Sequence, residues 1–183
     1  MKTTAATLYV YDPQFEANAK AFQEEIGGDC AIRPVTGFDD LVKALDSYTQ
    51  VGFLVFDTHG EPGKVALADG SRVEGFDFRL LRLLPKELLR KDARVLFYGC
   101  NIGEGAAGDT FLDDFGLAAF RGKGGTAGAS TVTNFSLSLG PLGSVETWME
   151  LESPFAARLK VARFNEAGTR EASMSVDRWG NRD

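Results

Sequence analysis

The 183-residue chain holds one histidine, His59, and two cysteines, Cys30 and Cys100. A single histidine with so few thiols excludes a His-rich zinc centre. Two cysteines cannot make the multi-bridge framework of a small secreted fold. The chain has no run of about 18 apolar residues, so no membrane-spanning helix is expected. The apolar stretch within Met1–Val10 is too short for a signal peptide and reads as a first strand. Acidic residues outnumber basic ones, 26 to 20, and no Lys/Arg stripe interleaves with aromatics, so nucleic acid is a poor candidate partner. A Gly-x-Ser-x-Gly elbow is missing, and Gly122-Lys123-Gly124-Gly125 lacks the rest of a phosphate loop. Neither an internal repeat nor a low-complexity linker divides the chain, so residues 1–183 read as one domain, with a core of about 8–152 and C-terminal strands or a hairpin over 153–183.

What is present is an alternation of apolar runs and helical spacing. Leu8–Tyr11 reads as a strand. Asp12-Pro13 starts a helix in which Phe15, Ala19, Phe22 and Ile26 recur, and Gly27-Gly28 ends it. Cys30–Val35 is a second strand. Asp39 or Asp40 caps a helix carrying Leu41, Val42, Leu45 and Tyr48, and Val51–Phe56 is a third strand. This β-α-β-α-β order implies parallel strands and right-handed crossovers. Lys64–Leu67 and Arg72-Val73 flank Asp69-Gly70 as a small hairpin. Phe78–Arg90 reads as helical with a break at Pro85, and Ala93–Tyr98 as the fourth strand. Gly103–Gly108 reads as a flexible loop leading into a helix over Asp109–Phe120, and Thr126–Ser130 as a short fifth strand. Thr131–Val145 reads as a loop. Trp148–Leu151 and Leu159–Phe164 read as strands. Alternation at Ala172, Met174 and Val176, with Trp179 just beyond, suits a late edge strand after a turn at Asn165–Gly168. The expected class is α/β, a three-layer α-β-α fold with a mainly parallel central sheet.

Two of the apolar runs end beside a reactive side chain. Val51–Phe56 runs into Asp57-Thr58-His59-Gly60, and Ala93–Tyr98 into Gly99-Cys100-Asn101. The C-terminal ends of parallel strands are where open α/β sheets bind ligands. Glycine beside each reactive residue lets a substrate backbone approach closely.

Strand-His-Gly followed by strand-Gly-Cys resembles the caspase-like cysteine peptidases of clan CD, the group that holds gingipains, clostripain, legumain, separase and the self-cleaving domains of bacterial toxins. The run Leu96-Phe97-Tyr98-Gly99-Cys100-Asn101 and the His59-Gly60 hairpin are similar to a bacterial caspase-like domain with a Tyr-Gly-Cys-Asn motif, found in large repeat-rich surface proteins. Gly125–Ser130 and Trp148-Met149-Glu150-Leu151-Glu152 look similar to later elements of that domain. The likeness covers roughly Leu8 to Glu152 and departs between Ser130 and Thr147.

The resemblance implies a cysteine endopeptidase with a His59–Cys100 dyad, acting on its own parent chain or on a specific protein partner. It implies backbone oxyanion donors at Gly60 and Cys100. It implies a primary pocket near Tyr98 and Asp12, and no cofactor. The chain's acidity does not suit the basic inositol hexakisphosphate pocket of the toxin domains. A protein or peptide is therefore the expected partner. A cytoplasmic location is expected for the chain as it stands, or a secreted or cell-surface one if it belongs to a larger protein. The alternatives are a catalytically inactive caspase-like interaction module and a flavodoxin-like binding domain, although no phosphate-binding loop follows the first strand.

Each residue also has a plainer reading. Asp57 either orients the imidazole or is a strand-end carboxylate in water. Asn101 holds its loop or fixes the His ring. Asp12 favours a basic side chain, or is the N-cap before Pro13. Glu61 and Glu104 either disfavour acidic substrates or are ordinary solvated charges. Cys30 is a buried spare thiol or a bridge partner of Cys100. The glycines at 122–125 turn the chain near the active site or gate it.

Overall fold

The computed structural model describes residues 1–74, 85–131 and 159–176. The expectations for 78–84, 132–145, Trp148–Glu152 and Trp179 lie outside the described residues. In chain order the elements are β1 (Thr3–Thr4), β2 (Thr7–Tyr11), a 3₁₀ turn (Pro13–Phe15), α1 (Glu16–Ile26), β3 (Cys30–Pro34) and α2 (Phe38–Asp46). There follow β4 (Tyr48–Thr49), β5 (Val51–Asp57), β6 (His59–Glu61), β7 (Lys64–Ala66), β8 (Arg72–Glu74) and β9 (Leu89–Phe97). The chain continues with α3 (Gly105–Ala119), β10 (Gly125–Ser130), β11 (Leu159–Phe164) and β12 (Arg170–Val176).

The protein is mixed α/β. Seven strands form one sheet in the order β12-β11-β10-β9-β5-β2-β3. Pairings from β3 through β10 are parallel, whereas β10–β11 and β11–β12 are antiparallel. The expected mainly parallel sheet is therefore a mixed one. The reason is local: Asn165 accepts from the backbone N–H groups of Ala167 and Thr169, closing a tight turn that returns β12 beside β11. This hairpin places residues 159–176 in the same sheet as the N-terminal strands.

Alternation along each strand sorts side chains to two faces. Leu8, Val10, Leu54, Phe56, Val95, Phe97, Ala127 and Ala129 share one buried cluster with Leu41 and Leu45 of α2 and with Phe111, Leu112 and Phe115 of α3. Tyr9, Tyr11, Phe53, Val55, Leu96 and Tyr98 share the other with Ala19 and Phe22 of α1. Helices thus cover both faces, which is why β5 and the end of β9 read as continuous apolar runs rather than alternating ones. Phe97 is the hub of the first cluster. Its ring stacks on Phe56 at 4.8 Å and meets Phe111 and Phe115 edge-on at 4.8 and 4.9 Å.

Several boundaries differ from expectation. Residues 89 and 90 belong to β9, not to a helix. The strand passes Asp92 in a left-handed conformation (φ 56°), and β5 skips register opposite it, so the pattern breaks where the strand does not. The second helix is capped by Gly37, and Asp40 instead accepts from the backbone and hydroxyl of Thr36. Tyr48 lies in β4, fully buried. The supposed flexible loop at 103–108 is tied down. Gly103 N–H donates to Ser130 O at 2.7 Å, and α3 already begins at Gly105.

Replacing Phe97 by Ala empties the hub of three ring contacts. We expect it to destabilise the fold by about 3–5 kcal/mol, read as a lowered urea midpoint at unchanged slope.

Candidate functional site

The C-terminal ends of β2, β5 and β9 are neighbours. Asp12 N–H donates to Asp57 O at 2.9 Å, and Tyr98 N–H donates to Phe56 O at 2.7 Å. Beyond these bonds three chain exits, Asp12–Phe15, Thr58–Gly60 and Gly99–Cys100, lie together.

The two glycines make the meeting possible. A side chain at Gly60 would have its Cβ 2.6 Å from Cys100 O and 3.0 Å from Cys100 N. One at Gly99 would lie 3.0 Å from His59 O and 3.1 Å from Thr58 O. The His59-Gly60 and Gly99-Cys100 segments are therefore in backbone contact. Ile102, fully buried, pins the cysteine loop into the core, and Ile102 O accepts from Gly63 N–H at 2.9 Å. Asn101 sits at φ 58°, and its backbone carbonyl accepts from Glu104 N–H at 2.9 Å, a bond of the main chain and not of the side-chain amide. The expected hairpin is β7-β8, and His59 opens a further strand, β6, that pairs with β7 to make a small three-stranded antiparallel sheet.

His59 is 47% exposed at its side chain, and Cys100 is half-buried. Ring nitrogen Nε2 contacts Gln14 Nε2 at 2.6 Å and lies 3.8 Å from Asp12 Oδ2, and the ring packs on Phe15 with centroids 5.2 Å apart. The N-cap reading of Asp12 is met: Oδ1 accepts from Gln14 N–H at 3.0 Å, with Pro13 in the first turn. The other oxygen is buried, and among the described residues no hydrogen-bond donor reaches it.

Asp57 differs from both readings made of it. It is neither in water nor bonded to the imidazole. The carboxylate is 2% exposed and accepts from Tyr9 OH at 2.7 Å and from Asn18 at 3.4 Å. On one continuous strand two residues spaced as Asp57 and His59 are would share a face, but Thr58 separates the end of β5 from the start of β6. Asp57 stays on the α1 side with Tyr9, while His59 starts a new strand. Burial pushes its carboxyl up to about 6, against the lowering effect of its two hydrogen bonds. Burial also pushes the Tyr9 and Tyr98 phenols up, helped by the Asp57 charge. Tyr98 is 6% exposed and packs in the α1-side cluster, so it supports the site from inside rather than walling an open pocket.

Cys30 pairs with Thr7 at the opposite end of the sheet from Cys100, so the alternative of a bridge is removed. Burial pushes the Cys30 thiol up to about 11. Glu61 is held by Arg72 at 3.0 Å, and Glu104 is the backbone N-cap of α3. The glycines at 122–125 are not near His59. Gly125 pairs with Ala93, and Lys123 donates to Leu89 O at 2.8 Å, so they turn the chain at the far end of the sheet. Among the described residues, no three His, Cys, Asp or Glu side chains are grouped to hold a metal ion. No described helix is long and apolar enough to cross a membrane.

Sequence reasoning did not find Gln14, Phe15, Tyr9 or Asn18. Gln14 and Phe15 had a signal: the Asp12-Pro13 cap sets a tight turn whose next two side chains project at the strand end. Residues 32–123, half of the chain, match DUF4347, a domain of unknown function. The chain belongs to that family. The match includes His59 and Cys100 and leaves out Asp12 and Gln14. No curated protein matches the chain.

The pH dependence of Asp57 has a definite sign. Its folded carboxyl titrates near 6, against about 3.9 in an unfolded chain. Its contribution is thus full below about 4 and lost as the pH rises through 6. We expect Asp57→Asn to stabilise the protein at pH 8 by about 1–3 kcal/mol, with the gain shrinking toward pH 4, measured by urea unfolding across that range.

Proposed function

We propose that this domain is a caspase-like cysteine peptidase with Cys100 as nucleophile and His59 as its proton partner, acting on its own parent chain or on one protein partner. The observation that carries the reading is the backbone contact between His59-Gly60 and Gly99-Cys100 at the exits of adjacent parallel strands. Helices on both faces of the sheet support the three-layer α-β-α reading.

The chemistry is acyl transfer. The thiol proton passes to the imidazole, and Sγ attacks the scissile carbonyl carbon. The oxyanion is met by backbone N–H groups, assigned to Gly60 and Cys100. Collapse of the tetrahedral intermediate breaks the C–N bond, and the imidazolium gives its proton to the leaving amine. Water, deprotonated by the neutral ring, then hydrolyses the thioester and restores the thiol. Every step uses a group at the exits of β5 and β9.

Incubation with a thiol-reactive peptide electrophile, followed by mass mapping, should modify Cys100 well before Cys30, whose thiol is buried and pushed up to about 11. His59→Ala should slow the Cys100 reaction. Against the parent chain, Cys100→Ala should abolish cleavage with the fold intact by circular dichroism, and His59→Ala should cut the rate severely. Chelators should have no effect. Equal slow labelling of both cysteines, unaffected by His59→Ala, would support the inactive interaction module instead.

A further inference from the structure

We propose that Gln14 is a positioning residue for His59: its side-chain amide holds ring nitrogen Nε2 in both protonation states and leaves Nδ1 to exchange a proton with the thiol. The task given to Nδ1 rests on the peptidase reading; the hold on Nε2 does not. Nε2 is 2.6 Å from Gln14 Nε2 and 3.8 Å from Asp12 Oδ2. One ring nitrogen is therefore committed to the β2 exit.

The contact is built into the backbone. Asp12 N–H donates to Asp57 O at 2.9 Å, Asp12 Oδ1 accepts from Gln14 N–H at 3.0 Å, and Phe15 N–H donates to Asp12 O at 2.7 Å. Phe15 then packs its ring against the imidazole at a tilt of 51°. Gln14, exposed at its side chain, follows a fixed strand end and precedes the ring that packs on the imidazole.

An amide suits this place because it is both donor and acceptor. With its NH₂ group toward Nε2, the ring is neutral and protonated at Nδ1. A half-turn of the amide puts Oε1 in the same position, and Nε2 then carries a proton. In that arrangement Nδ1 is bare and able to take the thiol proton, and the resulting imidazolium has both Gln14 Oε1 and the buried Asp12 Oδ2 facing its Nε2–H. The Nε2 proton thus faces, at 3.8 Å from its nitrogen, the one buried carboxylate oxygen that lacks a donor among the described residues. The other titratable groups nearby are Cys100 on the β9 exit, Asp57 beneath Asp12, and Glu61 on the ring's own strand, already paired with Arg72.

Because His59 is the chain's one histidine, selective ¹⁵N labelling gives ring signals from it alone. Two variants separate the possibilities: Gln14→Leu removes both hydrogen-bonding roles, and Gln14→Glu keeps the acceptor. In Gln14→Leu the ring ¹⁵N shifts should move toward the tautomer average of free histidine. Cys100 labelling by the peptide electrophile should slow about tenfold or more. Gln14→Glu should retain fast labelling and extend it to higher pH, since a carboxylate holds the imidazolium. Unchanged ring shifts in Gln14→Leu would overturn the proposal, and so would faster labelling, which would make Gln14 a latch over the ring. If the shifts move but His59→Ala leaves Cys100 labelling unaltered, the hold on Nε2 stands and the peptidase reading falls.

Discussion

The parallel register between β5 and β9 determines where the reactive side chains emerge. Phe56 lies opposite Phe97, and the bond from Tyr98 N–H to Phe56 O is the last rung before the two chains part. A slip of one residue would turn Phe97 to the other face and carry Cys100 away from His59. The slip is opposed by the ring cluster of Phe56, Phe97, Phe111 and Phe115, which has no equivalent if Leu96 or Tyr98 takes that place. Hydrophobic packing on the α3 side of the sheet therefore sets geometry at its edge. The glycines at 60 and 99 complete the approach, because neither position has room for a Cβ.

The apolar runs at 51–56 and 93–98 were legible because strands buried on both faces leave an unbroken signature. The β11–β12 hairpin was legible from alternation and from the turn at Asn165–Gly168. The start of β9 was not. Lys91 and Asp92 are exposed, and Asp92 bends the strand, so the segment looks like a helix end. The fate of Asp57 was hidden for a different reason. Spacing along a strand puts Asp57 and His59 on one side only while the strand continues, and Thr58 ends it. Gln14 was hidden because its role comes from a long-range meeting of β2 and β5 exits, which local pattern does not encode.

Carboxylates near the histidine divide by their bonding rather than by distance along the chain. Asp57 is sunk beneath the surface with a phenol and an amide for company, so its charge is expensive and its proton is retained to about pH 6. Asp12 spends one oxygen on its own turn and leaves the other toward the imidazole. Two acidic residues one hydrogen bond apart thus do different work, one in the framework and one facing the imidazole.

Strand β2 has a consequence for what counts as a unit. It lies between β3 and β5, bonded to both, although it precedes the residues that match the DUF4347 family. Residues 32–123 taken alone would have a slot in the middle of their sheet, with open ladder groups on β5. On the other flank β10 lies between β9 and β11, so its outer ladder groups are paired only when residues 159–164 arrive. During synthesis the His59 and Cys100 exits are made long before that last neighbour leaves the ribosome. A nascent chain would thus carry His59 and Cys100 on an unfinished platform, with β10 as a bare edge, until the C-terminal hairpin docks.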